Sequence, residues 1–159
     1  MEKKSTNIIL FSGDYDKAMA AFIIANGAAA YDHDVTIFFT FWGLNSLKKE
    51  TVNTPVSKSF IEKMFGWMMP KGADKLPLSN MNMMGMGPQM IKSVMKKHNA
   101  IPLPQLIEMA QEQGVKLVAC TMTMDLLGIK KKELLDGVEL GGVAAYLGEA
   151  ADGNVNLFI

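Results

Sequence analysis

Residues 7–40 constrain the fold more than any other stretch. Asn7-Ile8-Ile9-Leu10-Phe11 is a short apolar run that reads as a strand buried on both faces. Ser12-Gly13-Asp14-Tyr15-Asp16 is its exit turn, with Asp14 placed to cap the next helix. That helix is predicted over Tyr15–Ala30. Its Ala18, Ala21, Ala25, Ala28 and Ala29 allow close approach to a sheet, and Phe22 and Ile23 add bulk. Asp34–Thr40 is a second strand, carrying Val35, Ile37, Phe38 and Phe39. Strand, helix and strand at this spacing form a βαβ unit, which demands a parallel sheet and a right-handed crossover.

The rest of the chain extends that alternation, with one interruption. Phe41-Trp42-Gly43-Leu44-Asn45 comes after the carboxyl end of the second strand, where the aromatic rings can either wall a pocket or cap the core. Residues 50–100 do not fit the alternation. A helix is predicted over Ser57–Trp67, with Phe60, Ile61, Met64 and Phe65 at core spacing, then a loop over Pro70–Pro77. Leu78–Gly87 holds Met81, Met83, Met84 and Met86. Pro88–His98 returns to helix, with Pro88 in the favourable first position and Met90, Ile91, Val94 and Met95 on one side. An insertion this long is usually functional or disordered. A helix beginning at Pro104 ends at Gly114, and Val115–Ala119 is a third strand. Short helices near Leu126-Leu127 and Lys131–Leu135, a brief strand at Val138–Leu140, a helix over Val143–Glu149 and a closing strand over Asn154–Ile159 complete the pattern. The expectation is one α/β domain over 1–159, with a mainly parallel sheet of four to five strands and a helical, methionine-rich insertion at about 50–100.

Composition removes several function classes. Apolar residues make up 49% and charged residues 20%, which fits a globular chain. All sixteen basic residues are lysine, and the absence of arginine argues against a nucleic-acid surface. One cysteine excludes an intrachain disulfide and a cysteine-built zinc site. Val35–Leu44, the most apolar run, is half the roughly 20 residues that a membrane helix needs. Ile8–Phe11 is too short for the apolar core of a secretory leader. A soluble, cytoplasmic protein with no membrane span is expected.

The chemistry-bearing stretch is Leu117–Asp125, which contains the lone thiol, Cys120. It comes after an apolar strand and precedes a helical pattern, with Thr121 and Thr123 available as caps. In open α/β sheets, ligands bind at that edge. Two readings stand: a helix start favours thiolate, and a free cysteine is also a common inert core filler. Asp14, Asp16 and Asp125 oppose a thiolate if they lie close. Ser12-Gly13-Asp14 has one glycine and an acidic neighbour, a poor match to a phosphate loop. The methionine cluster reads as a Cu(I) site or as an adaptable contact surface, and no Cys or His is interleaved with it. His33 and His98 are not placed on the edge of Cys120, so a Cys/His pair is not expected.

Three motifs carry a resemblance. Cys120-Thr-Met-Thr-Met-Asp125-Leu-Leu-Gly128, Phe38-Phe39-Thr40-Phe41-Trp42-Gly43-Leu44-Asn45 and Asp136-Gly137-Val138-Glu139-Leu140-Gly141-Gly142-Val143-Ala144 resemble the DsrE/DsrF-like proteins in their peroxiredoxin-like branch. Gly13-Asp14 followed by Asp16-Lys17-Ala18 fits too, so the likeness spans the chain. It implies a flavodoxin-like, doubly wound fold, a homo-oligomer (trimer or hexamer), and sulfur handling without a cofactor or metal. Cys120 is then the catalytic residue, taking sulfane sulfur as a persulfide from a donor protein and passing it to an acceptor protein. Ser12, Gly13, Asp14, Phe41, Trp42, Thr121, Met122, Thr123 and Asp125 are the candidate site-lining residues. The N–H groups of Thr121–Thr123 are expected to stabilise the sulfur anion, and Phe41 and Trp42 to shield it. A peroxiredoxin active-site pattern is absent, and one cysteine leaves no intrachain resolving thiol. The surplus apolar residues of the insertion also predict self-association. The alternatives are a small-ligand or nucleotide-binding module at the strand-edge crevice and a Met-rich metal-binding or assembly protein.

Overall fold

A computed structural model describes residues 3–52 and 56–159. The element order is β1 (Ser5–Leu10), α1 (Tyr15–Ala30), β2 (Asp34–Phe39), a 3-10 segment (Phe41–Leu47), α2 (Phe60–Met68), α3 (Met86–Lys97), α4 (Leu103–Glu112), β3 (Lys116–Cys120), α5 (Thr121–Leu127), β4 (Glu139–Gly141), α6 (Val143–Ala150) and β5 (Val155–Phe158). Short 3-10 turns lie at Ala73–Lys75, Met83–Gly85 and Lys131–Glu133. The five strands pair in the order β4-β3-β2-β1-β5, and every pairing is parallel. The fold is α/β with helices on both faces of the sheet.

The strand order explains where the helices go. From β1 to β4 the chain steps to the adjacent strand each time, and right-handed crossovers put each connection on one face. The return from β4 to β5 runs the other way, so its helix must cover the opposite face. Side chains obey this division. Ile8, Leu10, Ile37, Phe39, Leu117 and Ala119 form the main core with Ala18, Ala21, Phe22 and Ala25 of α1, with Leu106 and Ile107 of α4, and with Met124 and Leu127 of α5. The alternate residues Phe38, Val118 and Cys120 form a second, small cluster with Tyr146 of α6. The alanines of α1 let it lie close enough for Phe22 and Phe39 to meet at 6.0 Å.

Local capping differs from expectation at three places. Cys120 itself occupies the N-cap of α5, so that helix starts at Thr121 and not near Asp125. Pro88 is the third residue of α3, still in the first turn where its missing N–H costs no helical bond. Asp14 is the N-cap residue of α1, but its carboxylate pairs with Lys17 at 3.2 Å instead of capping.

The insertion is attached to the body by charge. Ser59 and Glu62 form a capping box at the start of α2. Glu62 packs against Gly128, which ends α5 in the left-handed conformation (φ 65°) and has no room for a Cβ beside that side chain. Lys130 meets the Glu62 carboxylate at 3.1 Å. The Ser59 backbone N–H, then the Lys130 ammonium, hold the Glu62 carboxyl down at about 2. A depressed carboxyl stabilises the fold fully above its ordinary 4.5 and loses that contribution as pH falls through about 2. Amide exchange in α2 is therefore expected to accelerate across that window, and much less so in Glu62→Gln. Equal acid sensitivity in both proteins would count against this anchor.

Candidate functional site

Cys120 ends β3, an interior strand with β2 on one side and β4 on the other. The helix after β3 runs to one face of the sheet and the helix after β4 to the other. The gap between the carboxyl ends of β3 and β4 is therefore the topological switch point of the sheet, where α/β proteins form their ligand crevice. Cys120 lies opposite Gly141 in the ladder at that point. A Cβ on Gly141 would come within 2.9 Å of Val118, so glycine lets β4 close against β3 here.

The thiol is covered. Cys120 is 4% exposed, in the cluster with Phe38, Val118 and Tyr146. Tyr146 packs on Phe38 with ring centroids 5.3 Å apart, and burial pushes its phenol up from the ordinary value. It is the one buried residue of α6. The other end of that helix is held by Glu149, which accepts from Thr36 Oγ1 at 2.8 Å and pairs with Lys116 at 2.6 Å. Those bonds pull the Glu149 carboxyl below its usual range.

The remaining site candidates divide into two groups. Ser12, Gly13, Asp14 and Trp42 line a depression of about 350 Å³ together with Phe11, Lys17, Asn45, Pro70 and Pro77. Cys120 is not among its walls. The loop after β1 is two strands away from Cys120, with the Phe41–Leu47 segment extending from the strand between, so the expected juxtaposition does not form. Phe41 packs against Phe11 with the rings tilted and their centroids 5.3 Å apart, and it does not join the thiol cluster, so it is no shield. Thr123 is fully buried and ties two strand ends together. Its Oγ1 lies 3.0 Å from that of Thr40 and accepts from the Phe41 N–H at 3.3 Å. Thr121, Met122 and Asp125 are exposed on α5, and the Thr121 hydroxyl reaches the Gly141 carbonyl at 3.5 Å. Asp16 is taken by the amide and hydroxyl of Ser79. His33 bonds Thr6 at 2.8 Å beside the start of β2, the edge opposite Cys120, and His98 is exposed beyond α3. A second cavity, about 560 Å³ between Lys48, Asp74, Pro104 and Gln111, does not include Cys120 either.

A family model described as the DsrE/DsrF/DrsH-like family matches residues 2–158. The chain belongs to the DsrE/DsrF-like family. This DsrE-like chain is 73% identical over 158 residues to the YrkE protein of Bacillus subtilis, covering 99% of the chain and 98% of the relative. It is 39% identical over 165 residues to a protein of Allochromatium vinosum named sulfur carrier protein DsrE2, with both covered completely. Two solved structures share its fold at 12% identity: the YchN protein of Escherichia coli (TM-score 0.56, 98% and 99% covered) and MTH1491 of Methanobacterium thermoautotrophicum (TM-score 0.59, 99% and 100% covered).

Two residues, one beside the thiol and one in the depression, do not stand out in the sequence. Tyr146 joins Phe38 and Val118 in the cluster around the thiol, and it is placed there by the crossover to β5 and not by any local pattern. Asn45 is 3% exposed and lines the depression, and its Oδ1 has no hydrogen-bond partner among the described residues. A buried acceptor without a donor is costly, and in sequence Asn45 is only the end of an aromatic run.

Proposed function

We propose that this protein is a sulfur carrier that takes up sulfane sulfur on Cys120 and passes it to a partner thiol. The observation that carries the reading is the placement of the only cysteine at the switch point between β3 and β4, in a chain of this family with a relative named as a sulfur carrier. The chemistry is two exchanges. The Cys120 thiolate attacks the outer sulfur of a donor persulfide, R–S–SH, giving Cys120–S–SH and releasing R–S⁻. An acceptor thiolate then attacks that terminal sulfur, and the Cys120 thiolate leaves. No net oxidation occurs and no cofactor is required. A cytoplasmic setting, where thiols stay reduced, suits it.

Both steps need access to a thiol that is 4% exposed, and the movable cover is α6, which buries only Tyr146. The same face of the sheet leaves Val143, Leu147 and Phe158 exposed. These form the contact of a trimer or hexamer in this proposal, with Cys120 beside it. The decisive experiment is intact-mass spectrometry after incubation with a persulfide donor. Wild type is expected to gain one sulfur atom and to lose it to an added acceptor thiol, whereas Cys120→Ser gains none. A chain that gains no sulfur from several donors rules the proposal out.

A second reading is favoured by Asn45: the depression between the loops after β1 and β2 holds a small polar ligand that donates a hydrogen bond to Oδ1. A small molecule retained through purification, and lost in Asn45→Leu, would support this reading over the first.

A further inference from the structure

We propose that α2, α3 and the methionine-rich turn before α3 form a docking surface for an anionic lipid bilayer, lying in the membrane interface without crossing it. This surface is independent of Cys120 and is defined by the orientation of the two helices. Phe60, Met64, Trp67 and Met68 recur at helical spacing along one side of α2, with Ile61 beside them. A stripe of this kind normally faces the core. Here it faces outward: Phe60 is 82% and Trp67 84% exposed, and no residue of α2 is buried. The paired charged side chains, Lys58, Glu62 and Lys92, point the other way. Just before α2, Lys58 pairs with Glu133 at 2.7 Å with both side chains only 11–12% exposed, and within it Glu62 pairs with Lys130. In α3, Lys92 pairs with Asp74 at 3.0 Å and sits over the Tyr15 ring, while Gly87 and Pro88 are buried. Met86, Met90, Ile91 and Val94 are left exposed, as are Met81, Met83 and Met84 in the turn. The ion pairs fix the polar sides to the body and turn the apolar sides out.

Charge selects the partner. Residues 56–101 contain seven lysines, at 58, 63, 71, 75, 92, 96 and 97, against two acids, Glu62 and Asp74. That is a surplus of five positive charges in a chain whose formal net charge is zero, so the remainder is acidic by the same amount. Both acids are engaged in ion pairs, Glu62 with Lys130 and Asp74 with Lys92. Lys63, Lys71, Lys75, Lys96 and Lys97 are exposed. An outward surface that is apolar and cationic matches an anionic bilayer, where methionine and aromatic side chains sink to the acyl boundary and lysines stay among the headgroups. A second copy docking through the same face would oppose like charges. Among the described residues no helix is long and apolar enough to cross a membrane.

The test uses the full chain carrying Trp42→Phe, which leaves Trp67 as the only tryptophan. It is mixed with vesicles of phosphatidylcholine alone or of phosphatidylcholine with phosphatidylglycerol. Sedimentation with the anionic vesicles and a blue shift of Trp67 emission are expected, with binding weakened about tenfold or more on neutral vesicles and in a Lys63→Glu, Lys96→Glu, Lys97→Glu variant. Phe60→Ser with Met64→Ser is expected to abolish the shift while leaving the melting temperature of this exposed surface unchanged. Equal binding to both vesicle types, or none to either, overturns the proposal. So does a Trp67 emission already blue in vesicle-free solution, in an oligomer that Phe60→Ser with Met64→Ser dissociates; the surface is then a subunit contact.

Discussion

Replacing Tyr146 with alanine is expected to raise the alkylation rate of Cys120 by about tenfold or more. A 4%-exposed thiol reacts only through states in which its cover has moved. Tyr146 is the sole buried side chain of α6 and packs, tilted, against Phe38, so it carries most of the apolar contact that keeps the cover closed. Truncating a buried aromatic residue costs about 3–5 kcal/mol, and each 1.4 kcal/mol that falls on the local opening equilibrium is tenfold in rate. Glu149 keeps α6 attached through Thr36 and Lys116, so the sheet survives the change. The measurement is the rate of iodoacetamide labelling in both proteins under native conditions, with circular dichroism confirming that the variant is folded. If the rates match, α6 does not govern access and the thiol is reached by another route.

The second large effect is on stability. Gly43→Ala is expected to cost about 2–3 kcal/mol, seen as a melting temperature lower by roughly 5–10 °C. A Cβ at Gly43 would stand 2.1 Å from the carbonyl oxygen of Leu10 and 2.8 Å from its carbon. The Gly43 N–H also donates to Phe11 O at 3.0 Å. The crowded atoms are strand backbone, which cannot rotate aside as a side chain does. The 3-10 segment must therefore lift from β1, taking Trp42 and Asn45 with it. A melting temperature within 1–2 °C of wild type, about the effect of a typical surface substitution, would show that the segment slides without penalty.

The sheet is legible in the sequence because its strands are apolar runs of the right length and the alanines of α1 mark a helix lying on a sheet. The helix expected over Tyr15–Ala30 has those bounds in the structure, and Cys120 ends its strand as the order of apolar run, thiol and helix implies. The face that Cys120 points to is not legible. Residues in a strand buried on both sides show no alternation, so Leu117 and Ala119 cannot be told from Val118 and Cys120 by pattern. The direction is decided by topology: only the return crossover to β5 puts a helix on the second face, and strand order is not written in local sequence. That is why Ser12, Gly13, Asp14 and Trp42 gather in one depression while Cys120 lies elsewhere, and why nothing in the local pattern marks Tyr146. The orientation of α2 is hidden for a similar reason. Phe60, Met64 and Trp67 have the spacing of a core-facing stripe, and spacing alone does not say which side of the stripe the protein lies on.

The place of β5 in the chain bears on how the protein matures. The strand that completes the sheet beside β1, and the helix that carries Tyr146, are both drawn from residues 143–158. Synthesis delivers them after every other strand. Until then a partly made chain holds β1 as an open, apolar edge, a template for stray pairing, and keeps its single thiol uncovered on the bare face of the sheet. One late step therefore closes both liabilities. The interval before it is when the nascent protein is most open to oxidation, to aggregation, and to any factor that acts on the cysteine before the fold is complete.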